Sequence, residues 1–314
     1  MKRTLFGTVA AGIMIFGTLA APLPPAAKAQ SFTLNKPSQT ITFSPLQLQN
    51  ETSAQQAKTA ATSQIDSYYQ SANGKSGPAL KKALHDIIDD HKQLSYSQVW
   101  DALKKTDEDP KNPSNVLLLY SGVSRSKQAN GGNVGQWNRE HVWAKSHGNF
   151  GTSQGPGTDL HHLRATDVQT NSTRGNLDFD LGGNEYKGAP GNFYDSDSFE
   201  PHSRVKGDVA RMLFYMAVRY EGDDRFPDLE LNDKVNNGSA PLHGKMSVLL
   251  KWHKQDPVDQ IERNRNEIIY ETYQNNRNPF IDHPEWAARF GNKKEGHCYE
   301  QAVPFFFSSG QTRQ

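Results

Sequence analysis

Cysteine is almost absent from this 314-residue sequence, which contains Cys298 alone. No intrachain disulfide can form, so the fold has to be held by its core and by any metal it binds. A metal centre built from several cysteine thiolates is also excluded. The pattern H-E-x-x-H, typical of one class of zinc hydrolases, does not occur either.

Long apolar runs are missing beyond the N-terminus, so the sequence predicts no membrane-spanning segment in the rest of the chain. Two basic residues precede the charge-free segment 5–21, and Ala27-Lys28-Ala29 then supplies the small-x-small pattern of a cleavage site. A membrane anchor is the alternative interpretation, but the apolar run is short and prolines follow it at once. We therefore predict a signal peptide over residues 1–29 and a secreted, extracellular protein with no membrane partner.

An excess of positive charge is missing as well. The chain has 35 basic and 34 acidic side chains, and residues 1–29 carry three of the basic ones and no acid. Without that segment, 32 basic side chains face 34 acidic ones, a formal charge of −2. Because a general basic coating is absent, a polyanionic partner has to be attracted by a local patch.

The periodicity of apolar residues predicts one α+β domain, mainly helical, over residues 57–290. A polar segment without clear period, 30–56, precedes it and is interpreted as a flexible leader or pro-segment. An irregular tail follows over 291–314. We predict helices at 78–93, 95–105, 167–174, 206–220, 242–253 and 258–274, strands at 116–120, 134–143 and 159–165, and a loop at 181–205.

Residues that carry chemistry are concentrated between Trp137 and Asp180. The stretch begins W-N-R-E-H-V-W, continues through a glycine-rich loop, and then reads D-L-H-H-L-R-A-T-D-V-Q-T-N-S-T-R-G-N. Each buried polar group needs a partner, so such a concentration is costly in an ordinary core. We interpret it as the site of a phosphodiesterase that uses one metal ion.

Four residues take the main roles in this interpretation. His141 is the candidate general base, because a neutral histidine has a pKa near ambient pH. Glu140 and Asn171 offer the hard oxygen ligands that suit a magnesium-like ion. Arg174 follows Asn171 by about one helical turn and could grip a phosphate oxygen.

The assignment carries a geometric condition. Neighbours on a regular strand point to opposite faces, so Glu140 and His141 share a site only where the strand ends or bulges. His161 and His162 are also adjacent on the predicted second strand, so one should face the site and the other away. The facing one would orient the base or a ligand, unless both simply pack.

The sequence allows two alternative roles for two of the arginines. Arg139 and Arg164 either add positive field over the phosphates or form surface salt bridges, which contribute little.

The sequence resembles the bacterial endonuclease I family. The similarity rests on W-N-R-E-H-V-W, on D-L-H-H-L-R-x-x-D-V-x-x-N-x-x-R, on G-D-V-A-R-M-L-F-Y-M-A-V-R-Y at 207–220 and on N-R-N-P-F-I-D-H-P-E-W at 276–286. It is strongest toward the extracellular ribonuclease branch of Gram-positive bacteria. Members are secreted or periplasmic nucleases, and the resemblance implies that a ββα-metal (His-Me) finger is embedded in the domain.

The resemblance also implies roles and products. It assigns the role of general base to His141. It also implies that Glu140 and Asn171 bind one divalent ion, most typically Mg²⁺, with Mn²⁺ or Ca²⁺ as alternatives. Cleavage in such enzymes leaves a 5′-phosphate without help from a 2′-hydroxyl, so RNA and DNA are both expected substrates. We expect a monomer with no obligate protein partner.

The sequence departs from the family pattern at two places. The family usually has His-Asn where this chain has His161-His162, and Gly-Asp where it has Ser172-Thr173. The first departure leaves the assignments on the second strand open, and neither touches the base or the two proposed ligands.

Three other functions compete with this interpretation. Residues 151–155 fit the G-x-S-x-G pattern of a serine hydrolase with Ser153 as nucleophile, but no apolar strand precedes them and no helical pattern follows. A zinc hydrolase using the histidines would be restored by zinc, rather than by magnesium or manganese, after chelation. A non-catalytic nucleic-acid-binding protein would be indifferent to loss of His141.

Overall fold

The computed structural model describes Thr59 and residues 63–290. The predicted signal peptide over 1–29, the leader over 30–56, the tail over 291–314 and Cys298 lie outside the described residues. Within the described part, the fold mixes helices with short strands, as an α+β domain does. No helix among these residues has the length and apolar character needed to cross a bilayer.

Helices form most of the regular structure. They are α1 (Gly77–Ile88), α2 (Gln98–Thr106), α3 (Val168–Arg174), α4 (Lys206–Arg219), α5 (Met246–Gln255), α6 (Gln260–Ile268), α7 (Pro279–Asp282) and α8 (Trp286–Phe290). A further helical segment lies at 63–68, short 3₁₀ turns lie at Gln70–Ala72 and Ser203–Val205, and α6 continues into a π-helical turn at Ile269–Gln274. The helices predicted at 78–93 and 242–253 begin or end several residues away from the observed bounds.

Helix α4 is the centre of the larger core. Twelve of its fourteen residues are buried, so it is surrounded rather than half exposed. Helices α1 and α5 pack against it, and α1 presents Leu80, Leu84 and Ile88 from a single face. Spacings of three and four residues place such side chains on one side of a helix.

Four small sheets complete the described fold. Strands β1 (Glu108–Asp109), β2 (Asn112–Leu117) and β3 (Ser124–Ser126) form an antiparallel sheet. Strands β6 (Asp178–Phe179), β7 (Asn184–Glu185), β8 (Phe193–Tyr194) and β9 (Ser198–Glu200) form a second, in the order β6-β9-β8-β7. Strands β10 (Glu230–Leu231) and β11 (Leu242–His243) pair in parallel. The second sheet corrects the prediction that 181–205 is a loop.

The strand pair β4 (Trp137–His141) and β5 (Leu163–Asp167) lies between two apolar clusters. Trp137 packs in the smaller cluster, whereas Val142 and Trp143, just after β4, pack in the larger one. The pairing is antiparallel and regular, with Glu140 opposite Arg164. Since both ends of β4 are anchored by buried apolar side chains, its polar residues are held in fixed positions.

Helix α3 follows β5 directly. The carboxylate of Asp167 accepts from the backbone N–H groups of Gln169 and Thr170 at 2.9 and 3.1 Å, which caps the helix. Gly175 ends it at φ 55°, a conformation that favours glycine. The strand before this helix, β5, was predicted at 159–165. It begins only at Leu163, and a turn precedes it.

That turn has a local cause. The side chain of Asp159 accepts from the N–H of His161 at 2.9 Å, and its carbonyl accepts from the N–H of Leu163 at 3.1 Å. These bonds curl the chain where the alternation of residue types predicts an extended one. His161 and His162 consequently lie in the turn before β5, which corrects their placement on a strand.

Candidate active site

A cavity of about 660 Å³ opens where β4 ends. Glu140, His141 and Asn171 all line it, so the predicted base and the two predicted metal ligands share one space. Strand β4 ends at His141, which meets the condition under which adjacent strand residues can serve one site. The rest of the lining includes Tyr96, Trp100, Gly131, Gly132, Asn138, Arg139, Lys145, Ser146 and Asn176.

Glu140 is almost completely buried, with 1% of its surface exposed. Its Oε1 accepts from the hydroxyl of Tyr120 at 2.8 Å and lies 3.4 Å from Nη1 of Arg174. Its Oε2 has no hydrogen bond from any described residue. Burial raises the pKa of Glu140, against the lowering effects of Arg174 and Tyr120. A cation at the free oxygen would favour the ionised carboxylate.

Asn171 offers the second oxygen. Its Nδ2 donates to Oδ1 of Asn138, on β4, at 2.8 Å. This bond uses the donor side of the Asn171 amide and leaves its Oδ1 as an acceptor on a side chain that lines the cavity. A free carboxylate oxygen and a free amide oxygen are hard ligands, and a site with so few protein ligands fits an ion that keeps several waters, as Mg²⁺ does.

The ring of His141 is fixed in orientation by its neighbours. Its Nε2 lies 3.1 Å from the carbonyl oxygen of Gly157. A carbonyl only accepts, so Nε2 carries the proton and Nδ1 keeps a free lone pair. The rings of Tyr96, Phe150 and His162 surround the imidazole at centroid distances of 5.9, 6.3 and 5.6 Å.

The His141 imidazole is also held neutral. Burial, reinforced by the neighbouring His162, lowers its pKa to about 3. A neutral imidazole is the form that can take a proton, and a bound phosphodiester would raise the pKa again through its negative charge.

Gly157 has a steric reason to be glycine. A Cβ built there would lie 2.6 Å from the carbonyl oxygen of Ser153 and 2.9 Å from that of Gly151, closer than real Cβ atoms come. Any other residue would therefore shift the backbone that presents the carbonyl to His141.

Arg139 supplies the cavity with a positioned cation. Its guanidinium carbon lies 3.4 Å from the ring centroid of Tyr96 and 4.0 Å from that of Trp100. Its Nη1 donates to the carbonyl oxygen of Tyr96 at 2.6 Å, and its Nη2 donates to no acceptor among the described residues. Lys145 adds a second, exposed cation to the lining. Together they provide the local positive patch that the near-neutral chain requires.

Arg174 does not lie where the predicted contact to a phosphate oxygen would need it. It is fully buried and does not belong to the cavity lining. Its Nη1 donates to the carbonyl oxygen of His141 at 2.9 Å, and its Nη2 donates to that of Val142 at 2.6 Å. The predicted phosphate contact would require the guanidinium to leave these partners, whereas the observed contacts support the end of β4 and the carboxylate of Glu140.

The rings of His161 and His162 point in different directions, as was predicted for these two adjacent residues. The ring of His162 lies beside His141, with Nε2 donating to the carbonyl oxygen of Pro156 at 2.7 Å. The ring of His161 turns into the core, where its centroid lies 4.3 Å from that of Tyr215. His162 is therefore the one that contacts the site.

Arg164 stays away from the cavity. It is buried, and its Nε lies 3.2 Å from the carboxylate of Asp107. Arg164 shares Asp107 with Arg265 and also lies 3.8 Å from Asp208, and it does not line the cavity.

The buried histidines make stability depend on pH. Burial lowers the pKa of His161 and His162 to about 4, although Asp159 nearby acts in the opposite direction. Their pKa in an unfolded chain lies near 6.5. As the pH falls from 6.5 toward 4, the unfolded state binds protons that the folded state does not, so stability decreases over that window.

The serine hydrolase alternative finds no support in the structure. Ser153 is exposed on the loop between β4 and β5, and turns rather than a helix follow it. A nucleophile elbow needs a strand before the serine and a helix after it.

Several contributors to the site were missed from the sequence. Tyr120, Asn138, Gly157 and Tyr96 hold Glu140, Asn171, His141 and Arg139 respectively. Asn138 carried a signal, because it is a polar residue two positions before Glu140 on the same strand. The other three act across 16 to 43 residues of sequence, a range in which spacing carries no information.

The known proteins to which this chain is similar are named as nucleases. The profile of the family described as Endonuclease I matches residues 76–285. Over 231 residues the chain is 72% identical to the extracellular ribonuclease of Bacillus subtilis (strain 168), covering 74% of this chain and 80% of that protein. Over 222 residues it is 74% identical to the extracellular ribonuclease of Bacillus amyloliquefaciens, covering 71% and 77%. The range 76–285 matched by the family profile includes the whole cavity lining.

Proposed function

This chain belongs to the endonuclease I family, and on that basis we propose that it is a secreted, divalent-metal-dependent endonuclease. It hydrolyses RNA and DNA with little sequence specificity and leaves 5′-phosphate ends. The unit β4–β5–α3 serves as its ββα-metal finger. The observation that carries the proposal is the meeting of Glu140, His141 and Asn171 in one cavity.

Glu140 and Asn171 would hold the metal ion. Each has one oxygen without a donor and one polar atom engaged by a neighbouring residue, so both are oriented before an ion arrives. The ion would supply positive charge to the phosphate and to the leaving 3′-oxygen.

His141 acts as the general base. Its Nδ1 accepts a proton from a water molecule, whose oxygen then bonds to phosphorus while the bond from phosphorus to the 3′-oxygen breaks and the 3′-oxygen takes a proton from solvent. The Nε2–H donates to the carbonyl oxygen of Gly157 throughout, which keeps the ring in one orientation. Arg139 and Lys145, on the rim of the cavity, bind the phosphates of the strand and orient the scissile one.

Both nucleic acids can react by this route, because the nucleophile is water and no 2′-hydroxyl takes part. The two similar Bacillus proteins are named extracellular ribonucleases. We propose the same location for this chain, in accord with the signal peptide predicted over residues 1–29.

The test is a cleavage assay on end-labelled RNA and DNA, with and without chelator, in which product ends are mapped. We expect 5′-phosphates from both substrates and no cleavage in chelator. The His141→Ala variant should cut about 10²- to 10⁴-fold more slowly while it binds Mn²⁺ as well as the wild type. Undiminished cutting by this variant, or cyclic phosphate products, would contradict the proposal.

A further inference from the structure

A buried cluster next to the cavity contains His147, Asp178 and His243. Their potential ligand atoms all lie within 4.8 Å of one another. Two histidines and a carboxylate would suit a zinc ion. The hydrogen bonds around His243 favour a different role.

Both ring nitrogens of His243 are already in use. Its Nε2 lies 3.2 Å from Nη2 of Arg174, and a guanidinium only donates, so Nε2 is an acceptor without a proton. Its Nδ1 lies 3.2 Å from the carbonyl oxygen of Gly244 and 3.2 Å from Oδ1 of Asp178, which are both acceptors. The proton therefore sits on Nδ1. This neutral tautomer has no lone pair left for a metal.

Asp178 is a fixed anchor for that ring. Its Oδ1 accepts from the N–H of Gly244 at 2.9 Å and from Nδ2 of Asn237 at 2.9 Å, and its Oδ2 accepts from the N–H of Asn237 at 3.0 Å. A carboxylate that accepts from three N–H donors is held firmly in place.

Aromatic rings hold His243 from the sides. It stacks on Phe179 at a centroid distance of 5.4 Å and meets Trp143 edge-on at 5.3 Å. The guanidinium of Arg174 lies 4.7 Å above the same Phe179 ring. Neither the imidazole nor the guanidinium can turn without disturbing this packing.

A chain of contacts thus runs from Asp178 through His243 and Arg174 to Glu140. We infer that His243 is a positioning residue of the nuclease site: it accepts from Arg174 and so holds the guanidinium against the carboxylate that binds the metal. This inference rests on the proposed function. Partners of metal ligands typically contribute 10- to 100-fold to metal affinity, roughly, even without touching the ion.

A pair of amide substitutions separates the two sides of the ring. The amide of glutamine reaches the position of Nε2, whereas the shorter amide of asparagine reaches only that of Nδ1. His243→Gln should keep the contact to Arg174, and His243→Asn should lose it while keeping the contact to Gly244. Mn²⁺ binding, followed by the electron paramagnetic resonance signal of the free ion, should weaken about tenfold in His243→Asn and change less than about threefold in His243→Gln.

His147→Gln is the matched control. His147 is as buried as His243 and belongs to the same cluster, but its Nδ1 donates to the carbonyl oxygen of Leu242 at 2.8 Å and not toward Arg174. We expect a lower melting temperature with unchanged Mn²⁺ affinity and cleavage rate. Equal Mn²⁺ affinity in His243→Asn and the wild type would overturn the inference while leaving the proposed function intact. A wild type that neither binds Mn²⁺ nor cuts would refute the proposed function itself.

Nitrogen-15 NMR of the wild-type histidines gives an answer that does not depend on how a variant folds. We expect His243 as the neutral tautomer protonated at Nδ1. An Nε2-protonated ring would overturn the inference. So would one zinc ion per purified chain that is lost in both His147→Gln and His243→Asn, because it would identify the cluster as a metal site.

Discussion

Replacing Tyr120 with phenylalanine tests how Glu140 is prepared for the metal. The change removes one hydroxyl from a fully buried side chain and keeps the ring, which packs 5.0 Å from Phe199. The lost hydroxyl donates to Oε1 of Glu140 at 2.8 Å, so the carboxylate would keep only the longer contact to Arg174 at 3.4 Å.

Two arguments give the magnitude. A hydrogen bond to a charged group contributes roughly 1.5–3 kcal/mol, and about 1.4 kcal/mol corresponds to a tenfold change in an equilibrium constant. Losing the donor also moves the pKa of Glu140 further upward, because burial already raises it and Tyr120 opposes that rise. We therefore expect Tyr120→Phe to bind Mn²⁺ about 10- to 100-fold more weakly, in line with other partners of metal ligands.

The assay is a calorimetric Mn²⁺ titration beside a cleavage assay at saturating metal, with Tyr220→Phe as control. Tyr220 is also fully buried and donates to a carboxylate, Asp159, at 2.9 Å, but Asp159, unlike Glu140, does not line the cavity. Both variants should melt at lower temperature, and only Tyr120→Phe should lose metal affinity. Equal metal affinities in the two variants would refute the reasoning.

Three further predictions concern the phosphate contact, the base and acid stability. Arg139→Ala should raise the KM for a short single strand about tenfold, the size expected for one charge-assisted contact, with little change in kcat; an unchanged KM would exclude the contact. Gly157→Ala should lower kcat in steady-state kinetics without weakening Mn²⁺ binding, because it moves the carbonyl that orients His141; an unchanged kcat would argue against that role. Unfolding followed by urea titration should show stability decreasing from pH 6.5 toward 4, by a maximum of about 3 kcal/mol for each of His161 and His162, and a flat profile would contradict their burial as neutral rings.

The family and its helical framework could be predicted from the sequence. The predicted membership is confirmed by the profile match over 76–285 and by the two Bacillus relatives. Helix α4 was predicted at 206–220 and is observed at Lys206–Arg219, because a long segment with apolar residues at helical spacing has few alternatives.

The short strands could not be predicted with the same success. Strands β6 to β8 contain two residues each and β9 contains three, which is too short for an alternating pattern to register. The stretch from Asp159 to His162 misled in the opposite direction, since it was predicted as the start of a strand but is curled by the side chain of Asp159.

The candidate site also contains residues that could be proposed from the sequence and a role that could not. Glu140, His141 and Asn171 could be proposed together from the sequence because they lie in one short stretch, and the structure places all three on one cavity. The role of Arg174 could not be derived, because its partner His243 lies 69 residues further along the chain. Contacts of that length depend on tertiary packing, which local spacing does not encode.

The most direct test of the account is a crystal of the protein grown with Mn²⁺ and measured for anomalous scattering. We expect a single strong peak in the cavity, within bonding distance of Oε2 of Glu140 and Oδ1 of Asn171, with the ring of His141 facing the same space. A cavity without a peak, or a peak bound instead between His147, Asp178 and His243, would contradict it.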